Sequence, residues 1–321
     1  MTLSGLWQGW CNFWFKPTGT ASICVYRILF GLLVLQVSIV HLGGHFEEWY
    51  GPHSMVPLQT VVNHFWYNEP RFDYFLLFPQ TDHTFALLYV AFVIAGLFLC
   101  LGLFSNYSAA FVWLTLLSMH HQNPYNINGG DAFLRTVAPF LALSYCGDKY
   151  SLDALIAKKL GRPIPLERRP WAQRLIQVSI ALVYWQTFWC KMAGPQWLDG
   201  TAVYYATRLD DMMRFPAPFI SDNMFLLRCL DYFTLIIEFL AWNAIFIKSV
   251  RYYILVGLVG LHLGIDYLIN LPVFEWAFIF TLVTFVEPVD VSRFLQSAKL
   301  EGFFSRRTRC ATRIKNRHDA V

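Results

Sequence analysis

The chain has 321 residues, of which 56% are hydrophobic, 18% aromatic and only 14% charged, with a mean hydropathy of +0.41. Soluble globular domains carry about a quarter of charged residues, so this composition excludes an ordinary soluble domain and indicates a membrane protein. The net charge of +4 comes largely from a short basic tail, which lacks the folded basic surface and interleaved aromatics of a nucleic-acid binder, so no nucleic-acid partner is expected.

Eight apolar runs approach or reach the roughly 20 residues that cross a bilayer as a helix, the form in which a backbone satisfies itself without water. They cover residues 21–42, 83–104, 107–120, 132–146, 175–193, 226–247, 252–268 and 274–286. The third, fourth and last are short, and are expected either to be lengthened by flanking residues or to sit inside the bundle. The expected fold class is an all-α integral membrane protein, a polytopic bundle of about eight transmembrane helices with both termini cytoplasmic. Its domains are a transmembrane domain over residues 1–287 and a basic cytoplasmic tail over 288–321.

The first run is full length and has no small-residue cleavage pattern, so it reads as a signal anchor. It carries Arg27. After it, the aromatic segment 43–82 is expected to fold back over the outer face as short interfacial pieces. Basic residues stay on the cytoplasmic side, and they gather in the loop 147–170 (Lys149, Lys158, Lys159, Arg162, Arg168, Arg169), at Lys248 and Arg251, and in the tail. The acidic loops with Glu47, Glu48, Glu69, Asp73, Asp199, Asp210 and Asp211 then face outward. A plasma or inner membrane location follows, with the lipid bilayer as partner.

The stretch HHQNPYNINGGDAFLR, His120 to Arg135, holds more hydrogen-bonding groups than a plain bundle needs. Asn-Pro and Gly-Gly interrupt the helices, while His120, His121, Asn123, Asn126 and Asn128 stand at the outer boundary and Asp131 can cap the next helix. The stretch is either a well-capped turn or the polar floor of a lipid-accessible substrate site. Asp131 and Arg135 are four residues apart and lie on one helix face, so they can neutralise one another or take part in the site.

Lys191 ends the apolar run QVSIALVYWQTFWC and opens the turn MAGPQWLDGTA, with Trp197 and Asp199. An amine in an apolar setting loses part of its proton affinity and can become a base, so Lys191 either reaches for water or does chemistry. Ionisable groups inside spans are costly and mark function or packing. The later runs hold Asp231, Glu238, His262, Asp266 and Glu275. His262 and Asp266 share a face, which allows either mutual neutralisation or a carboxylate-oriented imidazole that handles protons. The seven cysteines are scattered without a C-x-x-C pair, so neither a metal set nor a disulfide framework is expected. No internal repeat of the transporter kind is present.

RILFGL at Arg27–Leu32, QNPYNINGGDAFLR ending at Arg135, SLD at Ser151–Asp153 and WCKMAGPQWLDGTA over Trp189–Ala202 resemble, in this order, the horizontally transferred transmembrane (HTTM) domain family. This is the membrane module shared with vitamin K-dependent gamma-carboxylase. The resemblance implies that Lys191 is a base toward a reduced quinone; in the enzyme reading it acts on a quinol or other amphipathic substrate, with His262 and Asp266 or the His120 and His121 pair relaying the proton. Glutamate carboxylation is not implied, because the carboxylase reads its protein substrate through a large extramembrane region and little of this chain follows the membrane module. Short bacterial-type members resemble instead the membrane protein that matures a secreted sporulation-delaying peptide toxin. In that alternative the partner is a secreted peptide and Lys191 pairs with Asp199 or Asp231; a transporter is the third reading.

Overall fold

The computed structural model describes residues 3–64, 70–271 and 273–297, and each of the eight apolar runs is helical within it. Glu69 and the basic residues of the tail from Lys299 onward lie outside the described residues. The main helices are α1 (Leu3–Phe15), α2 (Ala21–Gln36), α3 (Asp82–Leu101), α4 (Ser105–Gln122), α5 (Gly129–Ala142), α6 (Trp171–Met192), α7 (Met224–Asn243), α8 (Lys248–Leu268), α9 (Phe274–Leu282) and α10 (Pro288–Ser297). A two-residue antiparallel pair joins β1 (Thr18–Gly19) to β2 (Glu167–Arg168), with Thr18 opposite Arg168. Among the described residues, two helical segments are long and apolar enough to cross a membrane by length and composition, Ala21–His41 and Asp82–Leu101.

Local chemistry sets the helix ends. Thr81 accepts from the Thr84 amide to start α3, and Gly102, at φ +68°, turns the chain left-handed to end it. Only glycine takes that conformation without cost. The Leu103 amide then closes on the Phe98 carbonyl at 2.9 Å, the bond of a Schellman end. Asp153 caps the next helix, accepting from the amides of Phe104 and Ser105, both at 2.8 Å, and from the Ser105 hydroxyl at 2.7 Å. Arg27 is fully buried beside this corner and donates to the carbonyls of Cys146 at 3.1 Å and Tyr150 at 2.6 Å. The Arg27 and SLD segments thus meet at one junction of α2, α3, α4 and the basic loop. Asp153→Ala should cost about 2 kcal/mol, the loss of a helix cap, read as a lower apparent unfolding temperature in detergent.

The helices pack in near-sequential order: α2 on α3, α3 on α4, α4 on α5, α5 on α6, α6 on α7, α7 on α8 and α8 on α9. The last of these, FEWAFIFTL, has Glu275 and Thr281 fully buried among its apolar residues and also touches α2, α5 and α6. A helix without a solvated polar face belongs inside, which is why this short run sits within the bundle. By contrast, the short third run is lengthened into α4 by polar residues at both ends. Two of these main helices fall outside the apolar runs. The uncharged, aromatic α1 packs on α6, where Arg174 donates to the Phe13 carbonyl at 3.2 Å and lies 5.0 Å from the Phe13 ring centroid. The start of the expected tail forms α10 and packs on α2.

After the π-helical turn Val37–His41, the described part of the segment between α2 and α3 contains short helical pieces at Phe46–Tyr50, Leu58–His64 and Tyr74–Leu77. Phe46, Tyr50 and Phe75 are its buried anchors. The side chain of Asp73 is fully covered and binds Arg71 at 2.5 Å. Burial raises the Asp73 carboxyl above its usual range, an effect that the Arg71 charge opposes. Burial likewise pushes the Tyr74 phenol up to about 12.

Candidate functional site

Lys191 occupies the last turn of α6, and its ammonium donates to both carboxylate oxygens of Glu238 on α7, at 2.8 and 3.0 Å. The Glu238 side chain is 7% exposed and that of Lys191 20%, so the pair is largely withdrawn from water. Trp197 places its ring centroid 5.3 Å from the amine, within cation–π range. Phe188, one turn before Lys191, packs against Phe239, beside Glu238, at 5.3 Å between centroids. The expected acidic partners of Lys191 are engaged elsewhere. Asp199 is exposed and accepts from the Thr201 hydroxyl at 2.5 Å. Asp231 is fully buried and accepts from the Val203 amide at 3.0 Å, holding the turn that follows Gly200.

Deeper in the bundle lies a second polar chain. The Tyr184 hydroxyl of α6 and His262 Nε2 of α8 are 2.7 Å apart, and His262 Nδ1 is hydrogen-bonded to Glu275 of α9. The imidazole stacks on Phe278 at 5.1 Å between centroids, and Phe278 stacks on Phe133 at 4.7 Å. All three hydrogen-bonding residues are buried: Tyr184 is 2% exposed, His262 3% and Glu275 0%. The tautomer consistent with this arrangement has the Tyr184 hydroxyl donating to Nε2 and Nδ1–H donating to Glu275. The expected pairing of His262 with Asp266 is not what forms. Asp266 binds Arg214, from the segment between α6 and α7, at 2.9 Å, and the nearby start of α9 supplies Glu275 to the imidazole instead.

The stretch from His120 to Arg135 divides into two jobs. Its first half fastens the segment between α2 and α3: Gln122 donates to the Tyr50 carbonyl at 3.1 Å, Asn123 to the Trp49 carbonyl at 3.3 Å and Asn126 to the Tyr50 hydroxyl at 3.3 Å. Its second half starts α5 with a capping box. The Asn128 side chain accepts from the amides of Gly130 at 2.7 Å and Asp131 at 3.1 Å, and Asp131 accepts in return from the Asn128 amide at 3.2 Å. Gly-Gly therefore begins the helix, where a break was expected. Asp131 makes no ion pair with Arg135, which is half-buried one turn on, within electrostatic reach of His120 and His121. Both histidines are buried at the end of α4.

The HTTM domain model matches residues 15–289, which takes in every helix from α2 to α9. The chain belongs to the HTTM domain family. HTTM is a membrane domain, so this is a membrane protein. No curated protein matches the chain, and no solved structure does. In this HTTM domain most of the expected site residues fall into three places, Lys191 and Trp197 with Glu238, His262 with Tyr184 and Glu275, and the His120–Arg135 stretch against the segment between α2 and α3, while Asp199 and Asp266 are engaged elsewhere. α5, α6 and α9 pack on one another and so connect the three.

Three residues of this HTTM domain carry more of the geometry than the sequence reading gave them: Glu238, Glu275 and Tyr184. Glu238 and Glu275 stand out only as charges within apolar runs, and Tyr184 lies two turns before Lys191 on the same helical face. Among the described residues no group of three His, Cys, Asp or Glu side chains has the arrangement of a metal site. Chemically, the HTTM site offers a carboxylate-paired amine walled by aromatics and a buried acid–imidazole–phenol chain.

Proposed function

We propose that this HTTM protein is a multi-pass membrane enzyme of eight spans, both termini cytoplasmic, in the plasma or inner membrane. It uses Lys191 at the extracytoplasmic side as a base toward a quinol or other amphipathic, weakly acidic hydroxyl compound. The helical state of all eight apolar runs and the gathering of basic residues between runs four and five, between six and seven, and in the tail support this topology.

The observation that carries the chemistry is the Lys191–Glu238 pair. Two charges withdrawn from water are costly, and a proton shift from the ammonium to the carboxylate turns them into a neutral amine and a neutral acid. The amine then takes the proton of the substrate hydroxyl, leaving Lys191 as ammonium and the substrate as its anion, and the proton first given up stays on Glu238. Phe188, Trp197 and Phe239 form walls suited to a flat aromatic head, and a reduced quinone would supply the acidic hydroxyl there.

Lys191→Arg tests this reading, because arginine keeps the charge and the ion pair but does not give up its proton. With the protein in nanodiscs and a reduced naphthoquinol added without oxygen, the wild type should convert bound quinol to its anion, seen by absorbance. Lys191→Arg should bind the quinol and convert it about 100-fold more slowly, the scale of a lost general base. Full conversion by the variant overturns the proposal, and unchanged behaviour together with a co-purifying peptide substrate favours a maturation factor instead.

A further inference from the structure

A base that works repeatedly must pass its proton on, and the proposed function leaves that proton on a carboxyl inside the bundle. Tyr184 and Lys191 leave the same face of α6 two turns apart, about 10 Å along the axis. The carboxylate that accepts from Lys191 makes no hydrogen bond to Tyr184, whose hydroxyl is engaged by His262, but it is near enough to act electrostatically on the phenol. Beyond Tyr184 the hydrogen bonds run on without a gap to His262 and Glu275. Glu275 is fully buried, and its second oxygen, Oε1, has no hydrogen-bond partner among the described residues. An orphaned carboxylate oxygen costs about 1–3 kcal/mol or more in such a place, and a proton on that carboxyl removes much of the cost. The next charged groups, Asp266 and its partner Arg214, are less deeply covered, at 15% and 28% exposure. Asp266 Oδ1 is likewise without a hydrogen-bond partner among the described residues.

We propose that Tyr184, His262 and Glu275 form a proton relay that carries the proton collected by Glu238 to the carboxyl of Glu275, on the side of Asp266 and Arg214. The inference rests on the reading of Lys191 and Glu238 above for the source of the proton. In each transfer one bond to hydrogen breaks and one forms. The Glu238 acid gives its proton to the Tyr184 oxygen by way of a bridging water, which takes one proton and releases another, the Tyr184 hydroxyl gives its own to His262 Nε2, and Nδ1–H passes to Glu275. Glu238 ends as carboxylate, Glu275 as acid and His262 as the opposite tautomer, with no electron moved. A packing role alone asks only that the hydrogen bonds exist. A relay asks that each group take up and release a proton.

Infrared spectroscopy of the full chain in nanodiscs separates the two roles without any substrate. Lys191→Met strips Glu238 of its cation, so a protonated-carboxyl band should appear that is lost in Lys191→Met/Glu238→Gln. On transfer to D2O this band should shift as its proton exchanges. Adding Tyr184→Phe should slow that exchange about 100-fold, and so should Glu275→Gln, which keeps an oxygen for Nδ1–H but binds no proton. Exchange at the same rate in either variant overturns the relay. So does absence of the band, since Glu238 then never holds the proton to be relayed. In the quinol assay both variants should lower the conversion rate and leave quinol affinity unchanged. Failure of the wild type to deprotonate quinol, with the exchange results as expected, sinks the proposed function and leaves the relay standing.

Discussion

Glu238→Leu is expected to destabilise the protein by about 3–5 kcal/mol, toward the lower figure because Lys191 keeps some access to water. Most of this is the cost of an ammonium left without its carboxylate. Lys191→Met with Glu238→Leu should therefore recover most of the loss, since an apolar pair of similar volume replaces an ion pair at little net cost. The four proteins form a double-mutant cycle, and a coupling of a few kcal/mol marks the pair as one unit. Denaturant titration followed by tryptophan fluorescence reads it, with 12 tryptophans in the chain as reporters. Additive losses would mean that the two side chains do not meet. The double variant should be folded and inert toward quinol, which separates the stability of the pair from its chemistry.

Gly130→Ala is expected to cost about 3 kcal/mol, at the upper end for overpacking. A methyl group at position 130 would lie 2.6 Å from the Phe274 Cα and 2.9 Å from its amide nitrogen. Backbone cannot step aside as a side chain can, so α9 must shift on α5 and carry Glu275 with it. Gly129→Ala meets the Phe274 ring edge at 2.8 Å, which can swing away. It should cost clearly less. Unfolding midpoints of the two variants rank them, and equal losses would contradict the close seating of α9 on the start of α5.

The helices were legible because apolar runs of membrane length have few alternatives: a backbone removed from water must bond to itself. The shortness of the last run left two outcomes open, lengthening by flanking residues or a place inside the bundle, and packing decided for the second. The N-terminal helix was not legible, since Leu3–Phe15 is held to α6 by Arg174, far along the chain. Lys191 stood out through its place at the end of an apolar run. Its partner did not, because Glu238 comes from a helix whose rotation depends on packing. His262 illustrates the same limit. Spacing puts Asp266 on its helical face, yet side chains on neighbouring helices compete, and Glu275 takes the imidazole while Arg214 takes Asp266. The amides of Gln122, Asn123 and Asn126 were visible as hydrogen-bonding groups, but nothing local to them indicated that Trp49 and Tyr50 would accept.

Those amides have a mechanical consequence. Besides Trp49 and Tyr50, Arg71 reaches Gln122 at 3.3 Å, the Tyr74 amide reaches the Ser118 hydroxyl at 2.9 Å and the Tyr74 hydroxyl reaches Thr115 at 2.9 Å. These moorings lie within Thr115–Asn126, on α4 and the turn just past it, whereas Lys191, His262 and Glu275 ride on α6, α8 and α9. The segment between α2 and α3 and these three side chains are thus held by different helices. A small slide of α4 on α5 would change the distance between them without bending that segment at all.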